Sequence, residues 1–307
     1  SEIKHISKKD KKIFDEIFIW SGDSNVFPAI IKSIEDKRNI EKDIVTADVR
    51  SIILIEDTPR FYSSILPVLY KEIIYHTKQL IDKSLNNSQK LLHMRARPKI
   101  ILLKNYEDAK KYIKKYKKNI LGIISDLRFP HKQKSTLLAG IQLLNYLGKK
   151  KSTIPFILQS TEKNISSISN KYSVKIINKN SPTLFKELQK IMINTFGFGD
   201  FKFRLPNDKI ISQATNIDQL EESIKKVPRE SLKFHISYNH LSNWLAARGE
   251  FKLATKFRAI NNKDFKDIEA RREHHLKLLN KNKIDLEQFG IVEYSYDTLK
   301  QKHNFIR

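Results

Sequence analysis

Cysteine is absent from this chain of 307 residues, which excludes a disulfide framework, a thiolate metal site and a thiol nucleophile. Long apolar runs are absent as well. No stretch reaches the run of about eighteen uncharged apolar residues that a membrane-spanning helix needs. Ser1 to Lys12 is too polar for a secretory signal. A soluble, cytoplasmic protein with no membrane partner is therefore expected. Acidic residues are few beside basic ones, 34 against 58, and the formal net charge is +24. On that ground nucleic acid must be weighed as a partner. The excess comes mostly from lysines scattered through a sequence also rich in Ile and Asn, as a base-composition bias would produce. Phosphate-binding proteins instead concentrate charge on one face. The run Lys110 to Lys118 reads as the wet side of a helix with Tyr112 and Ile113 turned inward. Nucleic acid stays an open but disfavoured partner.

What is present is a hydrophobic fraction of 40%, enough for a genuine core in a chain long enough for two domains. From Val49 onward, short apolar runs alternate with amphipathic stretches, the pattern of a parallel sheet covered by helices. Five strands are predicted at Ser51–Ile55, Lys99–Leu103, Ile120–Ser125, Ile154–Gln159 and Val174–Asn178, each apolar enough to be buried on both faces. Helices are predicted at Asn105–Tyr116, Leu138–Leu147, Glu162–Lys171 and Thr183–Thr195, with Pro182 at a favoured helix start. The connection Pro59–Arg97 is too long for an ordinary crossover. Leu66, Leu69, Ile73, Ile74, Leu80 and Leu91 predict one long helix there, or two.

Ahead of this unit, Glu16–Trp20 reads as a strand, Ser21–Asp23 as a turn and Asn25–Asp36 as a helix. The layout repeats that of Val174 to Met192, so residues 1–46 read as the tail of a second, similar domain. One strand and one helix bury too little to stand alone, and this piece must dock on another part of the chain or on another chain. After Phe196 the pattern changes. A hairpin over Phe201–Ala214, turning at Asn207-Asp208, precedes helices at Ile217–Lys226, Ser231–Ala247, Glu250–Ala259 and Phe265–Leu279. Asp285–Arg307 reads as a linker with a short strand-like run at Ile291–Tyr294. The expected boundaries are 1–46, 49–197, 198–262 and 263–307.

In an open parallel sheet, ligands bind beyond the carboxyl ends of the strands. Glu56 and Asp57 follow the first predicted strand, Asp126 ends the third, Ser160 follows the fourth and Lys179 the fifth. Three converging carboxylates repel one another unless a cation neutralises them, and an all-oxygen site suits magnesium. Asp126 is then the natural phosphoryl acceptor, a carboxylate that forms an acyl phosphate. Lys179 and the Ser160 hydroxyl would stabilise charge on the transferring oxygens. Taken singly, each residue has a plainer reading as a cap, a turn or a solvated surface group. Their joint occurrence at the correct strand ends favours function.

This constellation resembles the CheY-like response-regulator receiver family. Glu56-Asp57 resembles the acidic pair, Asp126 the phosphorylated aspartate, Pro130 the loop proline, Gly140 the glycine opening the third helix, Ser160 the switch hydroxyl and Lys179 the lysine. The resemblance implies a flavodoxin-like α/β fold: a five-stranded parallel sheet of order 2-1-3-4-5 with an extended first helix, followed by a mostly helical C-terminal region. It also implies the backbone carbonyl of Arg128 as a further magnesium ligand, and a histidine kinase or small phosphodonor as partner. There are departures. Asn180 replaces a proline, Ile176 stands where an aromatic switch residue is common, Thr161 replaces a small residue beside the phosphate, and the loop from Asp126 to Gly140 is long. A resemblance over nearly the whole chain rests on FIWSGDSNVFPAIIKSIEDKRNIE, LIEDTPRFYSSILPVLYKEI, LLHMRARPKI, GIISDLRFP, NKNSPTLFKEL, FGFGDFKFRLP and HLSNWLAARGEFKLA. These stretches look like the N-terminal regulatory region of large bacterial phosphoenolpyruvate synthase or pyruvate phosphate dikinase-like proteins. That implies a fragment whose downstream output domain is a PEP/pyruvate-ATP phosphotransferase.

Three alternatives compete. A DNA-binding response regulator would use Tyr238 to Ala259 as two helices around Arg248-Gly249. The apolar Phe251, Leu253, Ala254 and Phe257 instead favour a helical hairpin that completes a core with Trp244. A haloacid-dehalogenase-type phosphatase would need an acidic residue two beyond Asp126, where Arg128 stands. His274 and His275 point about a hundred degrees apart on a helix and share no ligating face. A homodimer is left open.

Overall fold

The computed structural model describes residues 16–288 apart from 83, 85–89, 92, 95–96, 133, 137, 150–153, 163–164, 173 and 260–264. Helix α1 (Val26–Ala47) precedes β1 (Ser51–Ile55), the long α2 (Pro59–Asp82), β2 (Lys99–Leu103), α3 (Tyr106–Tyr116) and β3 (Ile120–Asp126). A short hairpin, β4 (Phe129–His131) and β5 (Lys134–Thr136), leads to α4 (Ala139–Lys149), β6 (Phe156–Ser160), α5 (Ile165–Tyr172), β7 (Lys175–Asn178) and α6 (Leu184–Asn194). The C-terminal part holds the hairpin β8 (Phe201–Arg204) and β9 (Ile210–Ala214). Helices α7 (Ile217–Lys226), α8 (Arg229–Ser237), α9 (His240–Ala247), α10 (Phe251–Ala259) and α11 (Ile268–Gln288) follow it.

The main sheet has the order β2-β1-β3-β6-β7, and every pairing is parallel. This is the expected order 2-1-3-4-5. Side chains alternate across a strand, so Ile52 and Leu54 face α2, α6 and the C-terminal part, whereas Ile53 and Ile55 face α3 and α4. Helix starts follow local chemistry. Asn105 caps α3 by accepting from Asp108 N at 2.8 Å, with acids in the first turn and lysines in the last, each complementing the helix dipole. Strand β6 begins at Phe156, later than expected, because Pro155 has no N–H for the ladder; its carbonyl accepts from Ile123 N at 2.9 Å.

Three expectations need correction. Glu16–Trp20 forms no strand. It crosses the first turns of α2, where Ile19 N donates to Ser63 Oγ at 2.9 Å, Tyr62 Oη donates to Ile17 O, and Phe18 meets Tyr62 edge-on. The β2 edge is closed to it, because α1 covers that edge. Fully buried Asp36 of α1 accepts from Ile100 N of β2 at 2.8 Å, Tyr70 Oη at 3.0 Å and Arg97 Nη2 at 2.5 Å. A covered edge cannot recruit a foreign strand. Second, the helix expected over Ser231–Ala247 is two helices, α8 and α9, broken where Asn239 takes a left-handed φ of 56°; asparagine tolerates this conformation. Third, α11 runs on to Gln288 and includes the start of the expected linker. The run Ile291–Tyr294 lies outside the described residues.

The C-terminal part docks under the amino ends of the strands. The Phe196 ring lies where a Cβ on Gly122 of β3 would fall, 2.0 Å from the ring, and Arg50, just before β1, donates to Thr255 Oγ1 at 2.9 Å. Gly197, at φ +89°, presses its backbone on α9; a Cβ there would lie 2.7 Å from Trp244 N. Arg248 stacks 3.6 Å from the Trp244 ring centre and donates to Gly197 O and Gly199 O. His76, about three-quarters of the way along α2, bridges Ala247 O and Gly199 N. In the α9–α10 hairpin, Phe251, Leu253, Ala254 and Phe257 are buried, and Arg258 turns inward to Ile120 O.

Candidate functional site

Glu56, Asp57, Asp126 and Lys179 meet at the carboxyl end of the sheet. Glu56 and Asp57 follow β1, Asp126 closes β3 and Lys179 follows β7, so strand order alone brings them together. Lys179 Nζ donates to Glu56 Oε2 at 2.9 Å and to Asp126 Oδ2 at 2.7 Å, and lies 4.1 Å from the Phe61 ring centre. One oxygen from each of Glu56, Asp57 and Asp126 falls within 4.8 Å of the others. Glu56 is held on every side: Oε1 accepts from Thr58 N at 3.1 Å, and Oε2 also accepts from Gln159 Nε2 at 3.1 Å. Leu127 N donates to Asp126 Oδ1 at 2.7 Å.

The remaining expected residues stand differently. Ser160 is buried beside Asp126's strand neighbour Gln159, and its Oγ accepts from Glu162 N at 3.0 Å. Thr161 is exposed. The Arg128 guanidinium points outward to Glu162 at 3.1 Å. Gly140 sits where α4 touches the end of β3; a Cβ there would lie 2.5 Å from Asp126 O, so only glycine fits. The long loop after Asp126 is the β4–β5 hairpin, which carries Pro130. Its His131 stacks on Tyr106 at 4.2 Å and bonds Gln142 at 2.7 Å.

Gln159 and Phe61 were missed from the sequence. A signal existed for Gln159: it is a polar residue in the inner run of a strand otherwise apolar up to Ser160. It is fully buried, and its Oε1 has no hydrogen-bond partner among the described residues.

Electrostatics make the cluster costly as it stands. Burial first, and then the neighbouring Asp126 carboxylate, raise Glu56 to about 7; burial also raises Asp57. Glu56 and Asp126 share the Lys179 ammonium with Asp57 beside them, and all three offer hard carboxylate oxygens. The residues therefore fit a divalent, oxygen-preferring cation. A carboxyl whose folded value lies above its unfolded 4.5 binds its proton more tightly when folded. Its contribution to stability is full below pH 4.5 and is lost as pH rises towards 7. Without divalent cation, Tm is expected to fall by several degrees between pH 5 and 7.5, and magnesium is expected to restore more at 7.5 than at 5. Thermal unfolding in EDTA and in magnesium checks this; Glu56→Gln should flatten the slope, and an unchanged slope would remove Glu56 as its source.

The chain thus combines a parallel sheet of order 2-1-3-4-5, helices on both faces, and an acid–lysine cluster at the sheet's carboxyl end. The fold is a flavodoxin-like, doubly wound α/β sheet. No protein-family model and no curated protein sequence matches the chain. Among solved structures it is similar to a DNA-binding response regulator of the LuxR family from Staphylococcus aureus, at 18% identity and TM-score 0.34, over 48% of this chain and 98% of that one. It is also similar to the Mn(2+)-bound form of response regulator Rcp1, at 19% identity and TM-score 0.31, over 46% and 91%. A third is the phosphorylated cyanobacterial phytochrome response regulator RcpA, at 17% identity and TM-score 0.30, over 53% and 99%. The fold assignment rests on this chain's own strand order and parallel pairing. No helix among the described residues is long and apolar enough to cross a membrane.

Proposed function

We propose that the chain is a phosphoacceptor signalling module in which Asp126 receives a phosphoryl group from a histidine kinase or a small phosphodonor. The observation that carries this reading is Lys179 Nζ bridging Glu56 and Asp126 at 2.9 and 2.7 Å beside Asp57. An Asp126 oxygen attacks phosphorus, the bond to the donor's leaving atom breaks, and an acyl phosphate remains. The Lys179 ammonium, already within reach of that carboxylate, balances the charge that gathers on the phosphoryl oxygens. Ser160, by turning its hydroxyl from Glu162 N, and Thr161 beside it would contact the phosphoryl group. Magnesium would be held by Glu56, Asp57, Asp126 and the backbone carbonyl of Arg128, and would neutralise charge between the carboxylates and the phosphoryl oxygens.

The signal has a physical route in this reading. Helix α2 begins beside the site, where Phe61 touches Lys179, and its far half reaches the C-terminal part through His76. A shift at Lys179 would move a rod that ends on the FGFGD loop (196–200) and α9, and through them a downstream or partner output domain. By resemblance that output is a PEP/pyruvate-ATP phosphotransferase, with residues 1–46, 49–197, 198–262 and 263–307 as successive parts of its regulatory region, in the cytoplasm.

The test is incubation of the purified chain with acetyl phosphate and magnesium, read by intact mass. One phosphoryl adduct is expected, absent in Asp126→Asn and absent in EDTA. An adduct retained in Asp126→Asn would place the acceptor elsewhere; no adduct in either protein would sink the reading.

A further inference from the structure

The C-terminal part contains a second polar construction, remote from Asp126, which the proposed function does not use. A cavity of about 150 Å³ opens between the end of α6, the β8–β9 hairpin and the start of α9. Trp244 and Phe201 supply apolar wall; Lys202, Arg204, His235, His240, Asp208 and Asp200 supply polar wall, with Asp200 accepting from Gln213 Nε2 at 2.8 Å. Strand β8 loses its register between Phe203 and Arg204. Irregularities of this kind re-aim a side chain, and here the residue concerned is the arginine on the cavity wall.

The two histidines form a relay whose direction can be deduced. Arg204 N–H donates to His235 Nε2 at 2.8 Å, so that nitrogen carries no proton. Burial holds both imidazoles neutral, His235 down at about 3 and His240 at about 4. The His235 proton is therefore on Nδ1, which lies 3.1 Å from His240 Nδ1 and must donate to it. The His240 proton is left on Nε2, for which no hydrogen bond is found among the described residues. A second donor on the cavity wall is the Arg204 guanidinium. It holds a carboxylate already: Asp208, at 3.3 Å, from a turn residue with φ +65° and a side chain 78% exposed. An exposed ion pair of this sort is weak and displaceable.

From these observations we infer that this cavity is a binding site for a small organic or inorganic oxyanion, a carboxylate or a phosphate. Arg204 and the His240 N–H grip the anionic end, Trp244 and Phe201 flank the remainder, and Asp208 occupies the arginine until a ligand displaces it. Arginine suits both anions because its planar fork matches their paired oxygens. The cavity volume limits the ligand to a handful of heavy atoms, since it exceeds the space one water needs by only about tenfold.

Trp20 and Trp244 are the only two tryptophans, so a Trp20→Phe background reports on Trp244 alone. In that background, and in EDTA so that the carboxylate cluster recruits no metal, the chain is titrated with succinate and separately with inorganic phosphate at constant ionic strength. A saturable change in Trp244 emission is expected with at least one probe, and the probe that works tells carboxylate from phosphate. Arg204→Gln should weaken the response at least tenfold. Asp208→Asn, which removes the internal competitor, should tighten it severalfold, a gain that misfolding cannot produce. No saturable change with either probe in the background and in Asp208→Asn, or an equal response in Arg204→Gln, overturns the proposal.

Discussion

Lys179→Met is expected to cut the rate of phosphoryl incorporation at Asp126 by about 100-fold, the effect of losing one positioned charge-stabilising donor. The same variant is expected to unfold earlier without divalent cation, by about 3–5 kcal/mol, because removing one partner of a buried ion pair leaves the other uncompensated. Here two carboxylates are left. Lys179 and Glu56 are almost wholly buried, and the ammonium contacts Glu56 and Asp126 at once. Methionine keeps an unbranched apolar stem but has no Nζ, so what is lost is the charge and, with it, the ammonium's contact with the Phe61 ring. Magnesium is expected to recover much of the stability but little of the rate, since a cation on the carboxylates cannot replace a donor aimed at the phosphoryl oxygens. Melting with and without magnesium, beside acetyl phosphate kinetics, separates the two effects. A variant that melts and reacts like the parent would show the lysine to be a bystander.

Asp36→Ala is the second change with a large expected effect, about 3–5 kcal/mol. The carboxylate is fully buried and faces Arg97 at 2.5 Å, Lys99 at 3.6 Å, Tyr70 Oη and the edge amide of Ile100. Alanine would take the main acceptor from Arg97, Tyr70 Oη and Ile100 N in a buried place, while Lys99 keeps Asp43 at 3.0 Å. Asp36→Asn, which retains an acceptor but no charge, should fall between alanine and the parent. Urea midpoints give the ranking. Proteolysis under native conditions tests the structural cause, since α1 should become a cleavable segment before the sheet unfolds. Equal cleavage of α1 in parent and variant would mean that its apolar face, not Asp36, holds it.

The legible parts of the fold were those whose evidence is local. β1 and β2 lie where their apolar runs predicted, and the other sheet strands within two residues, because a strand buried on both faces must be apolar throughout. The caps of α3 and α7 are written in the sequence as Asn105 and Asn216. Illegible were features set by a distant partner. Glu16–Trp20 has the composition of a strand, but the β2 edge is taken by α1, and the break at Asn239 is what sets His240 against His235. In the candidate site, Glu56, Asp57, Asp126 and Lys179 could be found because each ends or follows a strand. Gln159 could not be assigned a role until its amide was seen on Glu56.

Amino-acid sequence by itself determined the chemistry available to this protein: no thiols, a run of α/β units, and acids and a lysine placed at strand ends. The order of strands in space, which converts those separate ends into one cluster, is a property of the assembled open sheet and of the helices packed on it. Only the tertiary structure decided that α1 shields the β2 edge and that the C-terminal helices seat under the opposite end of the sheet. Only it decided, too, that the loop after Asp126 is a hairpin pinned by His131. Each of these depends on burial and charge pairing between residues far apart in the chain, and local periodicity carries no record of such partners.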